Sequence, residues 1–428
     1  MSVLLALLLC AQEIPTPNVG PFGAAVSPDG ATLLVPEFGS FTPYFVGNTV
    51  VVIDTATDTV TGTIVVDMQP EDVAFTPDGA YAFVTNAGGA TVSVIDTASQ
   101  VAVATVPCGT PFATFLYGVA ITPDGKLAYV NTTGGDFDGF EENIFILDAD
   151  PASATFATVL DTIEISGGFT RGGFGNDGKT YVVARGFADN DFSAAPRVSQ
   201  FKNGALFSET IVVPAVGGFH GAEDIAVTPN GRYAYLPVWN FSGGTDEVFV
   251  VDLQKNEVTD IVRLGSDDDA QHGIACDGSG LLVLVTNFFA GTVSVIFTPS
   301  NTVIQQAPVG FLPNEIAFTP DGLKAYVTNQ GSNSVSVLTF APRHELVVSL
   351  AQSAIVDPKI QKPLNALIAA VQNNPAALPA LVNFIRVKSN RGQITIVVEK
   401  DTYPPAADLN NVDVGTGGLD AGGTYSTP

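Results

Sequence analysis

Residues 71–109 read EDVAFTPDGAYAFVTNAGGATVSVIDTASQVAVATVPCG: four short runs rich in Val, Ala, Phe, Tyr and Thr, separated by PDG, NAGG and DTAS. In PDG, proline fixes φ, aspartate bonds back to its own backbone and glycine supplies the left-handed residue, so the tripeptide is a turn with a mechanism. The four runs therefore predict four strands in an antiparallel meander. Aligned on the glycine that closes this turn, seven copies fall at Gly30, Gly79, Gly125, Gly178, Gly231, Gly280 and Gly322, with spacings of 49, 46, 53, 53, 49 and 42 residues. A period of this length indicates a propeller or a solenoid. One four-stranded sheet cannot bury both faces alone, so neighbouring copies must stack face to face around an axis. The expected fold is all-β, a seven-bladed β-propeller of four-stranded antiparallel blades over residues 12–340, with a small C-terminal α-helical appendage.

The repeat fades after SVSVLTF, which ends at Phe340 and leaves the seventh blade one strand short. At the other end of the chain, QEIPTPNVGPFG superimposes on the fourth-strand phrases VAVATVPCGTPFA and VIQQAPVGFLP. Gln12 to Val19 is therefore expected to supply the outermost strand of blade 7, an edge position where its two prolines are tolerable. The competing strand is ELVVSL, Glu345 to Leu350. Further on, Ile360, Leu364, Leu367, Ile368 and Val371 follow helical spacing, and so do Leu378, Leu381, Val382 and Ile385 after the breaker NNP. Residues 341–403 thus read as a helical hairpin, with a short helix before it and QITIVVEKDTY as a candidate strand after it. Residues 404–428 read as a flexible Gly- and Asp-rich tail. The appendage is either a cap over one blade edge or a module for attachment and self-assembly.

Forty-three acidic and 17 basic residues give a net charge of −26, although only 14% of residues are charged. Such a chain repels phosphate backbones and anionic headgroups, which argues against nucleic acid as a partner. Calcium, cationic partners and neutral glycans remain compatible with it. The opening MSVLLALLLCAQE is too short an apolar run to span a bilayer, and no transmembrane helix is expected in the mature protein. Residues 1–11 resemble the core of a secretory signal without its positive region, or a poorly matched lipoprotein box at Leu7 to Cys10; alternatively they extend the closing strand. Cys108 and Cys276 fall in blades 2 and 6, and neither CxxC nor CxxCH occurs, which argues against a disulfide, a thiolate metal site and c-type haem.

Downstream of the turns stand FVTN (Phe83 to Asn86), LVTN (Leu284 to Asn287) and YVTN (Tyr326 to Asn329). On these words the chain resembles the YVTN-repeat β-propeller family, a group of surface-layer-like secreted propellers, over residues 12–340. The resemblance implies an extracellular or cell-surface protein that binds or assembles. The same repeat is similar to those of lactonases and of cofactor-bearing dehydrogenase subunits, so it does not select one activity. Blade 4, with GNDG and YVVAR, departs from the repeat, as do blade 6 with CDGSG and blade 1 with LLVPE; sites are to be sought there.

Connections in a four-stranded blade alternate faces. The PDG turns share one face, and the loops after VTN share the other with the blade-to-blade crossings. Insertions gather on the second face, which commonly marks the binding side of a repeat array. They carry Asp136, Asp138, Glu141 and Glu142 in TTGGDFDGFEEN, Asp189 in ADNDFSAAP, Trp239 in WNFSGGTDE, and Asp267, Asp268 and Asp269 in GSDDDAQH; PEFGSFTPYF adds aromatic rings. The start of each innermost strand rims the central channel with Phe22/Gly23, Glu71/Asp72, Tyr117/Gly118, Thr170/Arg171, Glu223/Asp224, His272/Gly273 and Asn314/Glu315. Glu71, Asp72, Glu223, Asp224, His272, Asn314 and Glu315 are an oxygen-rich set suited to Ca²⁺ or Mg²⁺. Similarity to lactonase propellers that hold a metal here makes this set compatible with a metal-dependent lactonase or esterase. The bland reading is a tolerated polar strand start. There is no G-x-S-x-G, H-E-x-x-H or P-loop, and Asn131 and Asn240 begin sequons. The preferred function is a non-enzymatic binding and assembly scaffold for a protein or glycan partner. The alternatives are the hydrolase and, without a cofactor signature, a subunit that docks on a redox partner.

Overall fold

The computed structural model describes residues 8–41, 44–111, 114–132, 143–164, 169–174, 178–185, 196–202, 205–212, 220–222, 224–240, 245–267 and 271–396. It forms seven antiparallel blades of four strands around a ring. Blade 2 sets the pattern with Pro70–Phe75 innermost, then Tyr81–Asn86, Thr91–Asp96 and Val101–Pro107 outermost. Between blades the sheets bury their alternating apolar residues; Leu34, Val50 and Val52 of blade 1, for example, pack with Val73, Ala82 and Val84 of blade 2. Each fully buried Val or Leu side chain of this kind stabilises the fold by about 1.5–3 kcal/mol. Blade 5 is irregular: its inner strand is split into His220–Gly221 and Ala226–Val227, both paired to Tyr233–Asn240.

The turn that decided the fold is built as its residues require. In blade 2 the Thr76 hydroxyl donates to Asp78 at 2.6 Å, Asp78 accepts from the Ala80 N–H at 3.0 Å, and the Tyr81 N–H donates back to Thr76 at 3.0 Å. All seven aligned glycines have positive φ, between 62° and 77°. They also stack around the ring: a Cβ on Gly79 would lie 3.4 Å from Pro28, one on Gly125 3.3 Å from Pro77, and one on Gly30 3.3 Å from Pro320. The last of these joins blade 1 to blade 7.

Closure follows the N-terminal route. Leu8–Pro15 pairs antiparallel with Ser334–Phe340, with a register shift between Cys10 and Gln12. The strand therefore begins before the expected Gln12 and stops at Pro15, short of Val19. ELVVSL is not a strand; it lies in helix α1, Arg343–Ser353. The edge it would have paired with is already taken, and Leu346, Val347, Leu350 and Ala351 turn into a core instead. Helices α2 (Pro358–Asn373) and α3 (Leu378–Ser389) form the hairpin, α2 starting from an Asp357 cap whose carboxylate accepts from the Lys359 N–H. Ile394–Thr395 pairs with Ile355–Val356, and the rest of the candidate strand from residue 397 lies outside the described residues.

Blade 6 breaks the turn pattern, and the helices exploit the break. Asp277 stands where blades 1, 2, 3, 5 and 7 have Ser or Thr, and Gly278 stands where those five have the stacking proline; blade 4 departs too, with Gly175 and Asn176. Asp277 Oδ1 accepts from the Leu281 and Leu282 N–H groups at 2.9 and 2.8 Å, so the turn is kept. In place of the proline, Arg343 of α1 lies against Gly322 of blade 7. It donates to Asp277 at 2.9 Å and to the Gly322 carbonyl at 2.6 Å. Three helices and blades 6 and 7 consequently share one apolar core. No helix among the described residues is long and apolar enough to cross a membrane.

The Arg343 and Asp277 side chains are only 10% and 1% exposed. Removing one partner of a buried pair strands the other charge, so Arg343→Ala is expected to lower the unfolding free energy by about 3–5 kcal/mol in denaturant titrations. Lys255→Ala, in a pair with both members more than half exposed, should leave it nearly unchanged. The turn hydroxyls of Ser27, Thr76, Thr122 and Thr319 hold the Asp29, Asp78, Asp124 and Asp321 carboxyls below the usual carboxylate range. Depressed folded values mean that this stabilisation is complete above the unfolded value near about 4 and is lost as pH falls through the folded values. Thermal scans should show stability dropping below about pH 4, with Thr76→Val flattening part of the drop.

Candidate functional site

The mouth of the channel is organised by how each inner strand meets the next. The VTN threonine bridges the junction: Thr85 donates to the Tyr117 carbonyl at 2.8 Å, Thr286 to that of Asn314 at 3.0 Å, and Thr328 to that of Phe22 at 2.6 Å. The VTN asparagine instead ties down its own loop, with Asn86, Asn287 and Asn329 donating to Ser93, Ser294 and Ser336 at 3.0, 3.0 and 2.9 Å. The threonine and the asparagine of the repeat word thus have separate mechanical tasks.

The second mouth position, apart from Arg171 in blade 4, is either glycine or acidic. Where it is glycine, the next strand packs directly against it: a Cβ on Gly23 would sit 2.4 Å from the Glu71 carbonyl oxygen, and one on Gly273 2.1 Å from that of Asn314. Where it is acidic, the carboxylate fills the gap. Asp72 accepts from its neighbour Val73 at 2.9 Å and, across the junction, from the Val119 N–H at 3.0 Å. Asp224 repeats this with Ile225 at 2.7 Å and Ile274 at 3.0 Å. Glu315 makes the first of the two bonds, to Ile316 at 3.0 Å. Asp72 and Asp224 are therefore blade clamps, with oxygens engaged by backbone donors along the junction rather than gathered on the axis.

At the first mouth position, Glu71 and Asn314 are buried while Phe22, Tyr117 and His272 are half-buried. Phe22 packs on Phe38 with ring centroids 5.5 Å apart, and His272 stacks on Phe288 at 4.0 Å. Among the described residues no group of three or more His, Cys, Asp and Glu is arranged to hold a metal ion; Glu223, a member of the expected ring, lies outside them. Asp136, Asp138, Glu141, Glu142, Asp189, Asp268 and Asp269 also lie outside the described residues. Trp239 and Asp267 are placed on the strands Tyr233–Asn240 and Glu257–Asp267 of blade 5.

Two sequence features resolve as structural. Asn131, the first sequon asparagine, is fully buried and cannot carry a glycan in the folded protein. Cys108 is buried and its thiol is pushed up to about 12 by desolvation, and burial raises the Cys276 thiol as well, so both are poor nucleophiles. The Phe288–Phe289 pair was not read as a site from the sequence. Its signal was there in the substitution of two phenyl rings for the small or polar residues of the same loop in blades 2 and 7.

No protein-family model matches the chain, and neither does any curated protein. Among solved structures, a chain of Kuenenia stuttgartiensis hydrazine synthase is similar, with a TM-score of 0.65 and 22% identity over 78% of this chain and 99% of that one. At that identity the likeness shows the propeller fold alone.

Asp72→Ala should leave the buried Val119 N–H without its acceptor and cost about 1–3 kcal/mol of stability. Hydrogen exchange should locate the loosening at the junction of blades 2 and 3; an unchanged Val119 exchange rate would contradict the clamp.

Proposed function

We propose that this propeller is a non-enzymatic binding scaffold of the YVTN-repeat type, working outside the cell or on its surface, whose loop-bearing face engages a protein or glycan partner. The supporting observation is an asymmetry between the two faces. On the turn face, blades 1, 2, 3, 5 and 7 keep the same tight turn, held by a Ser or Thr hydroxyl on an Asp or Asn. On the opposite face the middle hairpin of blade 1 lengthens to Thr32–Phe41 and Tyr44–Asp54, and that of blade 5 to Tyr233–Asn240 and Thr245–Asp252, against six residues per strand in blade 2. The acidic insertions belong to the same face by sequence. The C-terminal helices, through Arg343 and their shared core, serve first as a cap on the turn face beneath blades 6 and 7; self-assembly is a secondary role for their outer surface.

The clamp geometry of Asp72 and Asp224 weighs against the metal-dependent hydrolase, since a channel ion would compete with backbone donors for the same oxygens.

The test places a photo-crosslinking side chain at Ser40, on the blade 1 hairpin, or at Ala98, on the turn face, and irradiates the protein in its native setting. Discrete adducts from position 40 and none from 98 are expected. Equal labelling from both, or none from either, would defeat the assignment of the face. A calorimetric Ca²⁺ titration at about 150 mM salt, where diffuse attraction is screened, separates the hydrolase reading. A tight site lost in Glu71→Gln would favour the hydrolase over the scaffold.

A further inference from the structure

The loop after VTN has the same length in blades 2, 6 and 7, running from Asn86 to Thr91, Asn287 to Thr292 and Asn329 to Ser334. In each the asparagine makes the same bond to a third-strand serine, so the loop is held without help from what lies between. Blades 2 and 7 place Ala87-Gly88 and Gln330-Gly331 there, whereas blade 6 places Phe288-Phe289. The fold does not ask for these rings. Phe289 packs edge-on against Phe288 yet is 48% exposed, which leaves about half of its ring in water.

The two rings meet edge-on at 5.2 Å and 78°, and Phe288 stacks at 4.0 Å and 27° on His272 at the channel mouth. Carboxylates flank that strand on both sides. Asp224 of blade 5 accepts from Ile274, two residues after His272, at 3.0 Å. On the blade 7 side, a Cβ on Gly273 would lie 2.9 Å from the Glu315 backbone. Beside them Asn314 is fully buried, and neither its amide oxygen nor its amide nitrogen finds a hydrogen-bond partner among the described residues.

An exposed phenyl ring in a loop beside a strand that acidic residues flank, in a chain of net charge −26, suits one class of ligand. A bare metal ion would use the oxygens and gain nothing from phenyl rings. A neutral ligand would gain nothing from the charge. An ammonium group carrying aliphatic substituents gains from both, through cation–π attraction at the rings and the focused negative potential of the mouth. We propose that Phe288, Phe289 and His272 form a binding site for an organic ammonium ion, either a small alkylammonium or the ε-ammonium of a lysine on a partner. The proposal rests on the reading of this face as the binding face.

The experiment titrates the full-length protein with choline, with Nα-acetyl-lysine amide and with 3,3-dimethylbutanol, the neutral isostere of choline, at constant ionic strength, followed by NMR or calorimetry. Saturable binding of at least one cation is expected, with the isostere several-fold weaker. Phe289→Ala should weaken the cation by about three- to ten-fold without changing the melting temperature. Phe289→Leu, which keeps apolar area and removes the π face, should abolish discrimination between choline and its isostere. The tighter of the two cations identifies the source of the ammonium. Equal affinity for choline and the isostere, discrimination that survives Phe289→Leu, or no saturable cation binding would each overturn the site. Adducts from position 40 do not depend on ammonium chemistry, so their persistence alongside such a result would sink this site and leave the face standing.

Discussion

Everything in this molecule depends on the gap between adjacent inner strands. A propeller blade is too small to be stable by itself, and its two faces are covered only when seven junctions close together. The junctions near the axis are also the narrowest, so backbone groups there are cut off from water and must be paired. Glycine and a clamping carboxylate are two solutions to this one problem: the first lets strands touch, the second spans a wider gap with a charge-assisted hydrogen bond. Gly23 and Gly273 take the first solution, and Asp72 and Asp224 the second. Having both solutions lets a ring of unequal blades close.

Closure itself is the most non-local event in the fold. The outer strand of blade 7 comes from residues 8–15 and pairs with residues 334–340, so one sheet unites both ends of the propeller. Beside it, Lys324 and Tyr326 of blade 7 reach Asp58 of blade 1 at 2.8 and 2.6 Å, and Asn333 accepts from the Gly20 N–H at 2.9 Å. Contacts across such sequence separation stabilise the ring only after the intervening chain is ordered, which favours all-or-none closure.

Most of the fold was legible because the repeat states its turn chemistry seven times, and the N-terminal latch was legible because QEIPTPNVG copies an outer-strand phrase. Its limits were not: pairing runs back past an irregularity at Ala11 that no local signal marks, and stops at Pro15 before a second proline that has no donor to offer. ELVVSL misleads because its β-branched residues suit a strand, yet helix or strand is decided by which edge is free. The mouth acids were found as residues but not as clamps. Spacing shows that carboxylates gather at a rim; it does not show whether their oxygens face the axis or a neighbouring N–H. The acidic insertions carry no repeat to constrain them, and for that reason the sequence marks their face without marking their geometry.

Blade 6 joins these strands of argument. It departs from the repeat at both ends, and in the repeat a departure is informative because the remaining blades show what the fold alone requires. At the turn face, Gly278 and Asp277 replace the stacking proline and threonine, and the opening so made receives Arg343, which fixes the blade from below. At the loop face, Phe288 and Phe289 replace small or polar residues in a loop of unchanged length, and one ring is left facing water. A recognition surface holds its geometry only if the element carrying it is rigid. The buried ion pair and shared helical core supply that rigidity to a blade whose loop carries an exposed phenyl ring. The two departures are thus parts of one arrangement, an anchored blade that presents an aromatic edge at the mouth of an acidic channel.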